Sequence, residues 1–205
     1  VTLADGRYAV RGMPDRSVTV RQIARAAYGG AKQLPKGLEP GLEATRFYDP
    51  YYGTASNATH AAMIEIDRAT LEVKTLRYVV VEDCGRMVNP LIVDGQVHGG
   101  VAQGIGAALL EEIVYDDEGQ LLSGTLMDYV VPSACEIPTM EVHHVETPSP
   151  VALGGFRGMG EGGTIGAPAA IANAVADALA PLQIEIAELP VTPERLFRLI
   201  GKARA

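Results

Sequence analysis

One carboxylate, Glu161, sits inside a run of glycines: Gly154-Gly155-Phe156-Arg157-Gly158-Met159-Gly160-Glu161-Gly162-Gly163-Thr164. Backbone stripped of side chains can approach a bulky ligand closely and aim N–H groups at it. The bare stretch Gly158-Met159-Gly160 is therefore a candidate ligand cradle, with Glu161 at its end. The spacing that follows predicts an alanine-rich helix from Ile165 to Ala180, whose N-terminal N–H groups and positive dipole end would face the same spot. Such a setting favours the charged form of a carboxylate. Two chemistries suit it: an anion-binding loop, or a general base beside a large cofactor.

A second candidate lies on the helix predicted over Gly95–Glu112. At helical spacing Gln96, Gly99, Gly100, Gln103 and Ala107 share one stripe, while Val97, Val101, Ile105, Ala108 and Leu109 share another that should face the core. Each glycine inside a helix costs about 1 kcal/mol relative to alanine. Gly99, Gly100, Gly104 and Gly106 together mean that something packs very close. A tight crossing with another element is one reading. The other is a ligand lying on the stripe, with the Gln96 and Gln103 amides as donors and acceptors. Gln96 is placed at the start of this helix, where unpaired N–H groups point outward.

Other candidates carry less. Gly158-x-Gly160-x-x-Gly163 spells the dinucleotide fingerprint, but its lead-in, Pro150 to Arg157, is no β-branched strand, so a nicotinamide site is disfavoured. His143 and His144 are adjacent in a predicted strand and point to opposite faces, which rules them out as a shared metal pair. His98 is off the glutamine stripe. Asp116-Asp117-Glu118-Gly119 lacks the spaced ligands and closing Glu of a calcium loop and reads as a solvated turn. Cys84 and Cys135 form no CxxC pair, so neither an iron–sulfur cluster nor a structural zinc is expected, and no metal ligand is assigned.

The elements that must position these residues follow from turns and periodicity. Thr2 to Val10 predicts a hairpin around Asp5-Gly6. Ser17 is read as the N-cap of a helix through Ala27, and Gly29 to Gly41 as a loop. Ala61–Asp67 and Val73–Val81 form a strand pair, and Leu121–Tyr129, Met140–Glu146 and Ile184–Leu189 are further strands. The alanine helix stops at Pro181, and Thr192-Pro193-Glu194 opens a last short helix with Pro at its first position. Strands and helices alternate without a regular βαβ beat, which predicts the α+β class.

Bulk properties bound the function. The 205 residues are 47% hydrophobic, enough for a packed core. The net charge of -8 argues against nucleic acid and acidic membrane surfaces. No apolar run is read as a bilayer span and no signal peptide is evident, so a cytoplasmic, reduced setting is expected. The chain begins with Val1 rather than Met and opens mid-pattern, which reads as a piece of a longer protein.

Four ordered motifs then converge. Asp83-Cys84-Gly85-Arg86-Met87-Val88-Asn89-Pro90, Gly95-Gln96-Val97-His98-Gly99-Gly100-Val101-Ala102-Gln103-Gly104-Ile105-Gly106, Asp128-Tyr129-Val130-Val131-Pro132 and Gly158-Met159-Gly160-Glu161 resemble the C-terminal part of the molybdenum-binding large subunit of the xanthine dehydrogenase/aldehyde oxidase family. The flavour is that of the carbon monoxide dehydrogenase-like large subunits. The resemblance runs from Tyr51 to Leu199, with residues 1–50 a loosely matched lead-in. It implies a C-terminal fragment of a molybdopterin-binding domain and a cofactor, molybdopterin cytosine dinucleotide with molybdenum. It implies that Glu161 matches the family's general base and Gln96 a glutamine that contacts the pterin, and it gives the stripe of Gln96, Gly99, Gly100 and Gln103 a ligand. Asp83 and Asn89 would fix the turn into the helix. Electrons would leave through iron–sulfur and FAD centres on other subunits or domains, within an oligomer completed by the N-terminal remainder of the subunit. Expressed alone, such a piece should be inactive and bind no molybdenum. The rival expectation is a structural or assembly fragment, or split subunit, without cofactor. Arg68-Ala69-Thr70-Leu71-Glu72 departs from the family's Thr-Gly turn, with no evident chemical consequence.

Overall fold

The computed structural model describes residues 1–29, 34–49 and 54–203. Residues 30–33 of the expected loop, and Tyr51, where the resemblance starts, lie outside the described residues. Val1–Asp49 and Pro50–Ala205 are two compact units.

In the first unit, β1 (Thr2–Ala4), β2 (Arg7–Val10) and β3 (Met13–Thr19) form an antiparallel sheet in that order, followed by α1 (Val20–Tyr28). The hairpin turn is as expected, with Asp5 and Gly6 both at positive φ (49° and 70°), the backbone that twists with its flanking strands. Ser17 is not the helix cap. It pairs with Ala9 inside β3, and its hydroxyl accepts from Arg7. Thr19 is the cap: its Oγ1 accepts from Gln22 N at 3.1 Å, and Gln22 Oε1 accepts from Thr19 N at 2.8 Å. That reciprocal pair is a capping box, and the Thr-x-x-Gln spelling was present in the sequence.

The second unit is built on β4 (Asn57–Ile66), β5 (Val73–Asp83) and β6 (Met140–His144), in the order β4-β5-β6. β4 and β5 are antiparallel, and β5 and β6 are parallel. One face carries Tyr78, Val80 and Glu82 of β5, all wholly buried, in register with His60 and Ala58 of β4 and with Met140, Val142 and His144 of β6. α2 (Pro90–Leu109), α3 (Gly162–Ile165), α4 (Ala167–Leu179) and α5 (Pro193–Ala203) complete the unit. Val97, Val101 and Ile105 of α2 meet Ala167, Ile171 and Val175 of α4 in the core, all at zero exposure. Burying each of the larger aliphatic side chains contributes about 1.5–3 kcal/mol. The mixture of open sheet and packed helices is the α+β class that the sequence predicts.

Several elements differ from expectation, each for a local reason. α2 begins at Pro90, not Gly95, because proline lacks only an N–H that the first turn leaves unbonded anyway. Asn89 O accepts from Ile92 N and Val93 N, both at 3.1 Å, and starts the helix. Gln96 therefore lies in the second turn, and its side-chain amide, not an unpaired backbone N–H, is what it offers. The alanine helix is interrupted at Gly166, since Pro168 has no N–H to return to Thr164 O. It ends at Leu179 and passes into a 3-10 turn, Ala180–Leu182.

Leu121–Tyr129 is not a strand. Only Leu121 bridges, to Tyr115, and Thr125 O then closes a turn by accepting from Asp128 N and Tyr129 N. Ile184–Leu189 packs Ile184 and Ile186 on the core but has no ladder partner among the described residues, and Pro190 after it cannot donate to one. The reading that no run could span a bilayer also needs correction. Gly162–Leu182 is 21 residues long with a mean hydropathy of 1.4, long and apolar enough by length and composition alone. Its apolar side is nevertheless committed to the core through Ala167, Ile171, Val175 and Leu179.

Candidate functional site

α2 meets the glycine-rich turn backbone to backbone. A Cβ on Gly100 would stand 2.7 Å from Thr164 N and 2.9 Å from Gly163 C, and one on Gly163 would stand 2.5 Å from Val97 O and 3.0 Å from Gln96 O. One on Gly104 would stand 2.4 Å from Ala167 Cβ. These glycines serve a tight helix crossing, and Gly100 is not open to a ligand as expected. Gly106 is closed too, by Glu111 and by Pro132 of the Asp128–Pro132 motif, whose Tyr129 hydroxyl donates to Glu111. Gly99 is different: among the described residues nothing outside its own helix lies within 4 Å of where its Cβ would be. Gln96, Gly99, Gln103 and Ala107 are all exposed, so the stripe splits into a crossing edge and an open face.

The turn itself is held by the first motif. Arg86 N donates to Gly155 O at 3.0 Å, and Arg157 N donates to Cys84 O at 2.9 Å. Arg157 ties in two more segments through Thr147 O and Ala55 O. Gly85, at φ +67°, has no room for a side chain, since its Cβ would come 2.3 Å from Gly155 O. Asp83 Oδ1 accepts from Gly85 N at 2.9 Å and Thr147 N at 3.0 Å, which is the turn-fixing role expected of it. Burial raises the Asp83 acid, but the Thr147 hydroxyl, these N–H groups and the Arg157 charge outweigh that and hold it below its ordinary value.

At the end of this anchored turn Gly158, Gly160 and Glu161 are exposed. Met159 is partly buried against the core, and its carbonyl accepts from Gly162 N at 3.3 Å. Glu161 precedes α3, its carbonyl accepting from Thr164 N at 3.1 Å and Ile165 N at 3.2 Å, while its carboxylate caps nothing. Glu161 is the N-cap of α3, whose hydrogen bonding breaks at Gly166 while the backbone there stays in the αR region on the way into α4. Gln96 O next to Gly163 brings the open face of α2 and the Glu161 turn to one rim. Exposed side-chain amides on a helix, and an exposed carboxylate without a hydrogen bond among the described residues on the adjoining turn, are groups that could hold a flat polar heterocycle such as a pterin. Among the described residues, no group of three or more His, Cys, Asp or Glu is placed to hold a metal ion.

Sequence reasoning missed the polar residues behind the turn. Glu82 is wholly buried, and neither of its carboxylate oxygens has a hydrogen-bond partner among the described residues. Burial pushes its acid up, and the Ser56 hydroxyl and the His144 charge offset this only in part. His60 Nδ1 lies 2.9 Å from the Tyr78 hydroxyl, and its buried Nε2 is unpaired among the described residues. Burial lowers the His60 pKa, against a smaller opposing effect of the Gly162 backbone. His144 Nε2 lies 2.6 Å from Asp94 Oδ1 of α2. The period-two pattern Tyr78, Val80, Glu82 was the available signal, since it places Glu82 on the core face.

Comparison with known proteins identifies the family. Residues 1–138 match the family model described as a molybdopterin cofactor-binding domain. The nicotine 6-hydroxylase large subunit of Paenarthrobacter nicotinovorans is 43% identical over 97% of the chain, which covers 24% of that protein. The carbon monoxide dehydrogenase large chain of Hydrogenophaga pseudoflava is 38% identical over 94% of the chain, again covering 24% of that protein. The crystal structure of quinoline 2-oxidoreductase from Pseudomonas putida 86 superposes with a TM-score of 0.93 at 46% identity, over 98% of this chain and 26% of that one. A Cu,Mo-CO dehydrogenase structure gives 0.91 at 35% identity, over 99% of this chain and 25% of that one. The chain thus spans about a quarter of the length of the curated relatives it matches. It belongs to the molybdopterin cofactor-binding domains of the molybdenum-binding large subunits in the xanthine dehydrogenase/aldehyde oxidase family.

Proposed function

We propose that this chain is the C-terminal part of a molybdopterin-binding domain and supplies the general base and one wall of the cofactor site of a molybdenum hydroxylase. The observation that carries this reading is the exposed, uncommitted Glu161 carboxylate on an anchored turn, at the rim of the open α2 face. The cofactor, molybdopterin cytosine dinucleotide with molybdenum, supplies two-electron redox capacity when bound. The side-chain amides of Gln96 and Gln103 orient the pterin by hydrogen bonds. The bare backbone at Gly99, Gly158, Met159 and Gly160 lets it come close. Gly100 contributes indirectly, by letting α2 and the turn meet. A Glu161 carboxylate oxygen takes up the proton released as a water-derived oxygen is transferred to a small substrate.

The substrate class is an aldehyde, a nitrogen heterocycle or carbon monoxide. Of the four relatives above, the two with the highest identity are named for nicotine and quinoline, which favours a nitrogen heterocycle. The complete protein would work in the cytoplasm as an oligomer, with the N-terminal remainder of the subunit and with iron–sulfur and FAD partners.

Glu161→Gln in the full-length protein should lower turnover about 100-fold or more, the usual contribution of a general base, with molybdenum content unchanged. Near-normal turnover in that variant removes the assignment. The rival reading, a structural or assembly fragment without cofactor, is separated by metal analysis. The full-length protein should hold molybdenum and the isolated chain none. Stoichiometric molybdenum on the isolated chain would show that the wall described here is a complete site.

A further inference from the structure

Directly behind the turn that presents Glu161 stands Glu82. A Cβ built on Gly162 would lie 2.9 Å from Glu82 Oε1, 3.0 Å from Oε2 and 3.0 Å from Met159 Sδ. The Glu82 carboxyl and the Met159 thioether thus fill the space where residue 162 would carry a side chain, one residue after Glu161. Glu82 reaches this place from the core face of β5, opposite His144 of β6 and Ala58 of β4. His144 is itself fixed to α2 through Asp94, and its Nδ1 is buried and unpaired among the described residues. A wholly buried carboxyl with neither oxygen in a well-formed hydrogen bond among the described residues is a costly thing to keep in a core unless its position matters.

We propose that Glu82 is a positioning residue: its carboxyl buttresses Gly162 from within and sets where the Glu161 carboxylate stands. The inference rests on Glu161 being the general base. In this role Glu82 acts as the neutral acid, the form that burial favours by raising its pKa, because ionisation would place a charge in the core. The titratable groups around it are Asp83 on its own strand, Cys84 just beyond it, His144 on β6, His60 on β4, Asp94 behind His144, and Glu161 beyond Gly162. The Ser56 hydroxyl and His144 oppose the upward pull of burial, and Asp83 adds to it. The sign follows: a raised acid stabilises the fold below its ordinary range, and that stability is lost as pH rises through the raised value. Ionised Glu82 would press a charge against the turn and move the base, which gives turnover a reversible alkaline limb.

The test uses the full-length, cofactor-loaded protein. Glu82→Ala removes the buttress and should lower kcat about 10- to 100-fold at similar KM and molybdenum content, the scale of loss from a misplacement near 1 Å. Glu82→Gln keeps the shape without the ionisation. It should restore kcat at neutral pH and abolish the alkaline limb. Infrared spectra at neutral pH should show a protonated-carboxyl C=O band that Glu82→Gln lacks, whatever the activity. Gly162→Ala pushes the turn from the other side and should lower kcat even if Glu82→Ala fails to fold.

The proposal is overturned if the infrared band is the same in Glu82→Gln, if its alkaline limb matches the wild type, or if Gly162→Ala has wild-type kcat. Glu161→Gln assayed in parallel separates the two readings. If it stays active, the general-base reading fails. If it is dead while the Glu82 and Gly162 variants behave as wild type, only the positioning role fails.

Discussion

Replacing Gly99 and Gly100, adjacent residues of α2, by alanine should shift stability in opposite directions. Both substitutions gain about 1 kcal/mol of helix propensity, because glycine loses more backbone freedom on folding. At Gly99 that gain is unopposed, since among the described residues nothing outside its own helix lies within 4 Å of the new methyl group. At Gly100 the methyl group would meet Thr164 N at 2.7 Å and Gly163 C and Cα at 2.9 Å. Those contacts are all backbone, and backbone held in a turn anchored by Arg86 and Arg157 cannot rotate away as a side chain would. Relief requires α2 and α3 to separate, and overpacking of this kind costs about 1–3 kcal/mol.

The net effect is a gain of about 1 kcal/mol for Gly99→Ala and a loss of up to about 2 kcal/mol for Gly100→Ala. In a unit the size of Pro50–Ala205 each kcal/mol moves Tm by about 2–4 °C. Thermal denaturation of the cofactor-free protein should therefore show Gly99→Ala a few degrees above the wild type and Gly100→Ala below it. Molybdenum content should fall in both, in the first because the methyl group intrudes on the open face, in the second because the rim is pushed apart. Equal stabilisation by both would mean that the crossing is loose and that the glycines are not there for close approach. A destabilising Gly99→Ala would mean that protein, not ligand, covers that face.

Three further outcomes test other parts of the structure. Glu161→Gln should retain molybdenum and lose turnover, read by metal analysis and steady-state rates. Thr19→Ala should destabilise the first unit by about 1 kcal/mol, the usual cost of losing an N-cap, while Ser17→Ala is close to neutral; urea denaturation followed by circular dichroism compares them. His60, whose pKa is lowered by burial, binds its proton less readily folded than unfolded, so the unfolded chain holds more protons below the ordinary value of about 6.5. Its contribution is fully present above that pH and is lost as pH falls through the lowered value. Stability measured from about pH 7.5 to 5 should decline, and His60→Gln should flatten the decline; an unaltered slope would place the titration elsewhere.

Local physics was legible in the sequence wherever neighbours along the chain decide it. The Asp5-Gly6 hairpin, the β4–β5 pair, the core face of α2 and the proline-started α5 all follow from turn chemistry and periodicity. So did the four motifs that carry the family resemblance, and Glu161 as a lone carboxylate among glycines. Where reading failed, the cause was often local as well: the Thr19 capping box and Pro90 at the first position of α2 were both spelled out.

Other outcomes depended on contacts between distant segments. Periodicity placed Gly99 and Gly100 on one stripe, but only the docking of Gly163–Thr164 closes one and leaves the other open. Leu121–Tyr129 and Ile184–Leu189 have strand-like composition, yet a strand exists only where a partner offers its ladder. Glu82 and Gly162 are 80 positions apart in the numbering, and nothing in either neighbourhood announces that the carboxyl of one fills the missing side chain of the other. The sequence alone determined which groups do chemistry, because ionisable side chains and bare glycine backbone are local properties. The tertiary structure alone decided which of those groups stay open and which pack against each other, because close approach is set by whichever segments fold onto the same spot.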